Sequence, residues 1–310
     1  MAKSKRYDLI DRLQYLGLRA VSMLLHSFPV NANLQSAKWL ANIVYAVDRK
    51  HRERALGNLR RSFPDMPEAQ RQLMARRSMQ QLFMLFIEVL FTTRLIRIDT
   101  WADYCELNNF QEVLNLLLKR RQGLIMLTGH YGNWEILGYV LATLGFQSTA
   151  IARPLDNVYV NDWLMGVREN MGQKIISKKG ATDEVTKVLD GFGTVGFIAD
   201  QNAGPKGIFV DFFGRKASTY KSIGLLAMQY KVPVVIGCAR RKNDRFQFIL
   251  EAQDIIYPED WANETDPLRY ITQRYTKGIE DFIIKDPGQY LWVHRRWKTR
   301  PKGEAPESFD

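Results

Sequence analysis

The sequence predicts an α/β protein: a largely parallel sheet flanked by helices, with a mainly helical N-terminal region. Two observations carry this. Beyond Gln122, short apolar runs bounded by glycine, proline or polar residues alternate with longer segments of helical period. Those helical segments serve as the crossovers that parallel strand pairing requires.

In chain order, residues 1–120 read as mainly helical, a cap over the sheet, and residues 121–310 as the α/β core, the two forming one continuous domain. In YDLIDRLQYLGLRAVSMLLHSF the apolar residues Leu9, Leu13, Leu16, Ala20, Met23 and Leu24 recur at three- and four-residue steps, while Asp8, Asp11, Arg12 and Arg19 fall mostly elsewhere. Such a helix either packs its stripe on the core or lies in a membrane interface, with Lys3, Lys5 and Arg6 on anionic headgroups. The core then runs strand GLIMLTG, helix EILGYVLATLG closed by Gly145, strand FQSTAIA, helix VYVNDWLMGVRENMG ending at Gly172 and strand QKIIS. After these come helix ATDEVTKVLDGFG, strand TVGFIAD, helix YKSIGLLAMQYK, strand VPVVIGCA, an added edge strand FQFILEA and a long late helix RYITQRYTKGIEDFIIK. Five or six strands are therefore expected.

Composition bounds the function. With 310 residues, 46% apolar and 25% charged, the chain falls in the globular range, which excludes disorder and collagen-like repeats. The net charge of +11 is unevenly placed: residues 1–61 hold 12 Lys and Arg against 4 Asp and Glu, which leaves +3 for the rest. A basic segment favours a polyanion, either nucleic acid or an anionic membrane surface. No RNP-like strand, zinc finger or recognition helix is present, and the charge sits beside an apolar face, so a membrane surface is expected as partner and nucleic acid is not. Cys105 and Cys238 lie far apart with no CxxC, so neither a disulfide framework nor a metal site is indicated, and a reducing compartment is the expected setting.

No signal peptide is readable. A spanning helix needs roughly 20 apolar residues. The uncharged run from Ala20 is broken by FPVNAN, and MQQLFMLFIEVLFTT is interrupted by Glu88, so neither is expected to cross a bilayer.

The stretch TGHYGNWEI concentrates the chemistry. His130 falls in the turn between a buried strand and the next helix, at the carboxyl edge where open α/β sheets place ligands. A five-residue step is about 500° around an ideal helix, so His130 and Glu135 meet only if the turn bends back. Gly129 and Gly132 permit that bend, and Asn133 is a good N-cap, which puts Glu135 in the first helical turn. Two readings fit. Glu135 is a first-turn acid favoured by the helix dipole and His130 a hydrogen-bonded residue at a strand end; or Glu135 fixes the imidazole tautomer, so that His130 takes a proton from an attacking hydroxyl. No GxSxG, HExxH or CxxC offers a protein nucleophile or metal ligands. Backbone N–H groups at the helix start are candidates for an oxyanion site.

GHYGNWE resembles the His-x4-Glu form of the glycerolipid acyltransferase signature, and in particular that of the late acyltransferases of lipid A biosynthesis, the lauroyl and myristoyl transferases. IARPLDN (151–157), FIADQNAG (197–204), VDFFGRKAST (210–219) and WVHRRWK (292–298) resemble that family's later blocks in order and spacing, so the resemblance covers roughly Asp8 to Lys298. It implies transfer of a fatty acyl group from acyl carrier protein, or from acyl-CoA, to a hydroxyl of a membrane glycolipid such as a lipid A precursor. No cofactor or metal beyond the acyl donor is implied. His130 is then the general base and Glu135 its partner, Arg153 binds an anionic or polar substrate group, and Asp200, Gln201 and Asn133 position substrate. The implied location is the cytoplasmic face of the bacterial inner membrane, held peripherally. Asn202 stands where some members carry an acid, which leaves the exact sugar-lipid headgroup unassigned, and the resemblance extends to enzymes that acylate mannosylated inositol lipids, which keeps such a lipid open as acceptor.

Overall fold

The computed structural model describes residues 5–152, 154–169, 173–177 and 181–304. Strand β2 (Leu124–Thr128) lies in the middle of a seven-stranded sheet because every residue of LIMLT is buried. Ile125 and Leu127 enter one core and Leu124 and Met126 the other, as the pleat dictates for a strand covered on both faces. Its parallel neighbours are β5 (Thr194–Ile198) and β8 (Val234–Arg241). Beyond β5 lie β3 (Ser148–Ala152) and β4 (Lys174–Ser177), also parallel. Beyond β8 lie β9 (Phe248–Ile256), antiparallel to β8, and β1 (Cys105–Asn108), parallel to β9.

The helices between these strands are α7 (Trp134–Thr143), α8 (Val158–Glu169), α9 (Ala181–Asp190), α10 (Lys221–Tyr230) and, late in the chain, α12 (Pro267–Lys285). All five coincide with segments expected to be helical. The Gly172 end expected for α8 lies outside the described residues. Short helices α5 (Trp101–Tyr104), α6 (Gln111–Lys119) and α11 (Pro258–Trp261) complete the set with the N-terminal ones below.

Three features depart from the sequence reading. FQFILEA is not the sheet edge: β1, drawn from the region expected to be helical, covers β9 and takes the edge position. The count of strands in the main sheet is accordingly seven. VDFFGRKAST folds as an antiparallel hairpin, β6 (Ile208–Phe212) and β7 (Arg215–Thr219), outside that sheet.

The N-terminal region comprises α1 (Lys5–His26), α2 (Val30–Val47), α3 (Arg49–Ser62) and α4 (Glu68–Leu95). Leu34, Met84 and Phe91 share a core with Leu124, Met126, Ile136 and Val140, so α2 and α4 pack directly on the sheet layer. Helix α1 behaves differently. Its polar residues face α8: Tyr159 receives a hydrogen bond from Arg12 and donates one to Asp8, and Asn157 donates to the Asp11 carbonyl. The apolar stripe faces outward, with Leu13 59% and Leu24 63% exposed. The stripe therefore does not pack on the core. Among the described residues no helix is long and apolar enough to cross a membrane.

Candidate active site

The turn after β2 is held at nearly every backbone donor. Tyr131 N–H reaches the Gly129 carbonyl, Gly132 N–H that of Gln289, and Asn133 N–H that of Ala239. The His130 carbonyl accepts from Leu291 N–H. Gly132 adopts φ +57° against β8, and a Cβ there would stand 2.2 Å from the Ala239 carbonyl oxygen. Gly132→Ala is expected to lower stability by about 2 kcal/mol or more, read by denaturant titration, because a left-handed backbone and a backbone clash act together.

This bracing aims His130. Ala199 N–H donates to the Thr128 carbonyl, which continues the β2–β5 register one step and sets Asp200 beside His130. Asp200 accepts from the His130 backbone N–H at 2.9 Å through Oδ2 and meets the imidazole Nδ1 at 2.7 Å through Oδ1. The Asp200 side chain has no solvent exposure. Burial pushes its carboxyl up, but the charge and hydrogen bonds of His130 outweigh that and hold it below the usual carboxylate range. With Nδ1–H donated to Asp200, the lone pair of Nε2 is directed toward the Gln201 amide, 3.4 Å away.

The remaining wall comes from Trp134 and His294, whose rings stand 4.8 and 4.3 Å from the His130 ring, both edge to face. Asn58 of α3 donates to the carbonyls of Trp292 and His294, and Ser78 of α4 donates to that of Tyr290, so the N-terminal helices carry the loop that presents His294. Burial, and then the charge of His130, push the His294 imidazole down to about 4. Because the folded pKa lies below the ordinary 6.5, this group's contribution to stability is complete above pH 6.5 and is lost as pH falls toward 4. A loss of about 2–3 kcal/mol is expected across that interval, flattened in His294→Gln and measured as urea midpoints against pH. Nitrogen and oxygen atoms of His130, Asp200 and His294 lie within 4.8 Å of one another, and among the described residues these three are the group with side chains of metal-ligating type.

Several expected site residues stand elsewhere. Glu135 is not the carboxylate that holds the imidazole; both of its oxygens are taken by Arg168 of α8, at 2.7 and 2.9 Å. The reason is geometric: α7 starts at Trp134, so Glu135 is already on the helix and projects toward α8, whereas Asp200 is delivered by the adjacent strand. Asn133 is fully buried and contacts no open surface; its Oδ1 caps α7 at the N–H groups of Glu135 and Ile136, and its amide nitrogen donates to Glu88. Asp200 meets His130 with both of its oxygens. Gln201 does reach the rim beside Nε2. Arg153 lies outside the described residues. Since the N–H groups of His130, Tyr131, Gly132, Asn133, Glu135 and Ile136 all donate within the protein, the helix start offers none of these six to an oxyanion. His294, inside the WVHRRWK block, and Glu88 and Arg241 behind the turn are further residues at the site that no local pattern marks as such.

The family of bacterial lipid A biosynthesis acyltransferases matches residues 1–299. The chain is 27% identical over 258 residues to a lipid A biosynthesis acyltransferase of Haemophilus influenzae, covering 82% of this chain and 79% of the relative. It is 26% identical over 254 residues to the lipid A biosynthesis lauroyltransferase of Escherichia coli, with 79% and 78% covered. To the lipid A biosynthesis myristoyltransferase of the same organism it is 24% identical over 264 residues, with 83% and 78% covered. A match across nearly the whole length, around a strand-end histidine braced by a buried aspartate, makes the chain a member of the bacterial lipid A biosynthesis acyltransferase family and an O-acyltransferase.

Proposed function

We propose that this enzyme moves a fatty acyl group from an acyl thioester, carried by acyl carrier protein, to a hydroxyl of a lipid A precursor, with His130 as general base. The observation that carries this is the 2.7 Å contact between His130 Nδ1 and the buried Asp200. It leaves Nε2 as the acceptor for a substrate proton. As the acceptor hydroxyl oxygen bonds to the thioester carbonyl carbon, its proton passes to Nε2. Collapse of the tetrahedral intermediate breaks the C–S bond, and the imidazolium returns the proton to the departing sulfur. Asp200 holds the tautomer and stabilises the imidazolium. This balance needs no cofactor besides the donor, for which acyl-CoA is the alternative. Arg153, as a planar guanidinium, binds an anionic substrate group, and Gln201 orients the hydroxyl.

Mass spectrometry of membrane lipids from cells with and without the protein tests the reading. A difference of one acyl chain on lipid A supports it; the difference on a mannosylated inositol lipid instead would move the acceptor, and none on either would overturn it.

The enzyme works at the cytoplasmic face of the inner membrane as a peripheral protein in this reading, because an acceptor with long acyl chains stays in the bilayer. The outward apolar stripe of α1 supports interfacial attachment, reinforced by exposed Trp39 (67%) on α2 and the basic balance of residues 1–61. Deleting residues 1–24 is expected to release most of the protein from anionic vesicles and to slow acylation of vesicle-bound acceptor more than of detergent-dispersed acceptor. A folded truncation that still sediments with vesicles like the full chain would move the contact elsewhere.

A further inference from the structure

Glu88 stands two turns before the C-terminal end of α4, with no solvent exposure on its side chain. Arg241, at the end of β8 and equally buried, donates to both of its oxygens at 2.5 Å. The third donor is the Asn133 amide, at 2.8 Å from Oε2. Arg241 is tied onward: its N–H donates to Gln289 Oε1, and the Gln289 carbonyl accepts from Gly132 N–H. A chain of hydrogen bonds thus runs behind the turn that carries His130, and the carboxylate that meets Asn133 in it comes from the N-terminal helices.

A buried ion pair is costly to desolvate, and an apolar pair of similar volume would serve α4 packing at least as well. What an apolar pair would not do is set the Asn133 amide. The N–H groups of Glu135 and Ile136 draw the oxygen of that amide to the start of α7, and an acceptor at the Glu88 position holds the nitrogen edge from the other side, so that the side chain is fixed at both ends. We infer that Glu88 is a positioning residue for acyl transfer: through Asn133 it fixes the first turn of α7 and hence the aim of His130. The inference rests on His130 being the base. Small displacements of a reacting group cost large factors in rate, so the effect falls on turnover rather than on substrate binding.

An exchange of the two groups tests it. Glu88→Gln removes the anion, and Asn133→Asp places two carboxylates in contact. Combined, Glu88→Gln and Asn133→Asp restore one carboxylate, one amide and the same net charge in the group, with the carboxylate one residue further from Arg241, and Asp at position 133 keeps a capping oxygen for α7. Each single variant is expected to lose about tenfold or more in kcat with KM within about twofold, and the exchange to recover to within about threefold of the parent. The ¹⁵N resonances of the His130 imidazole should shift in both singles and return in the exchange, a readout that stands even if His130 proves not to be the base. An exchange variant no more active than the weaker single, with imidazole resonances unlike the parent's, would overturn the inference. Should either single fail to fold, Asn133→Ser keeps a helix cap and leaves Glu88 paired with Arg241. Its kcat is expected about tenfold down at unchanged KM, and a folded Asn133→Ser enzyme with parental kcat would overturn the inference by itself.

Discussion

His130→Ala is expected to lower turnover by roughly 10²- to 10⁴-fold while the melting temperature stays near that of the parent, since Asp200 holds Nδ1 and leaves Nε2 as the ring's acceptor, facing the exposed Gln201 amide across a long 3.4 Å contact. Asp200→Asn should approach the same loss. An amide can donate to Nδ1, which would place the proton on Nε2, where the base lone pair is required. Because the two side chains act as a unit, the double variant should be little worse than either single. Steady-state kinetics on a thioester donor and a solubilised acceptor measure all three. The two carboxylates near the turn are then separable: the kcat loss should be larger at Asp200→Asn than at Glu135→Gln, whose carboxylate is engaged with Arg168. The reverse order would return the tautomer-fixing role to Glu135.

Arg241→Ala is expected to be the most destabilising single change, by about 3–5 kcal/mol in urea unfolding, because it leaves the Glu88 charge buried without its partner. Replacing both, as Glu88→Leu with Arg241→Met, should cost much less, since the uncompensated charge disappears with its counterion. The double variant is nevertheless expected to remain catalytically impaired, which separates the stability of the pair from its effect on the turn. A loss below about 1 kcal/mol in Arg241→Ala would mean that solvent reaches Glu88 and that the pair behaves like a surface one.

The alternation of buried runs and helical segments was legible along the chain because each element declares itself locally. LIMLT is apolar at every position, as a strand covered on both faces must be, and EILGYVLAT carries the helical period behind an asparagine cap. The His130 turn was legible for the same reason: glycine, histidine and the cap residue are contiguous. Glu88 was legible only as an acid interrupting an apolar helical run, and nothing local identifies its partner as Arg241, 153 residues later.

What only the tertiary structure decided is which strands are neighbours. β5 follows β2 by two intervening strands yet inserts directly beside it, and that parallel register, rather than the short step along the chain, chooses Asp200 over Glu135 to hold the imidazole. The same holds for β1, whose pairing makes β9 an interior strand, and for the WVHRRWK segment, whose Trp292 and His294 carbonyls accept from Asn58 of α3 and whose Trp292 N–H donates to Ser78 of α4 where His294 meets the site. Periodicity records which face of an element is buried; it carries no information about what is buried against it, and the partner of the His130 imidazole belongs to that second kind of fact.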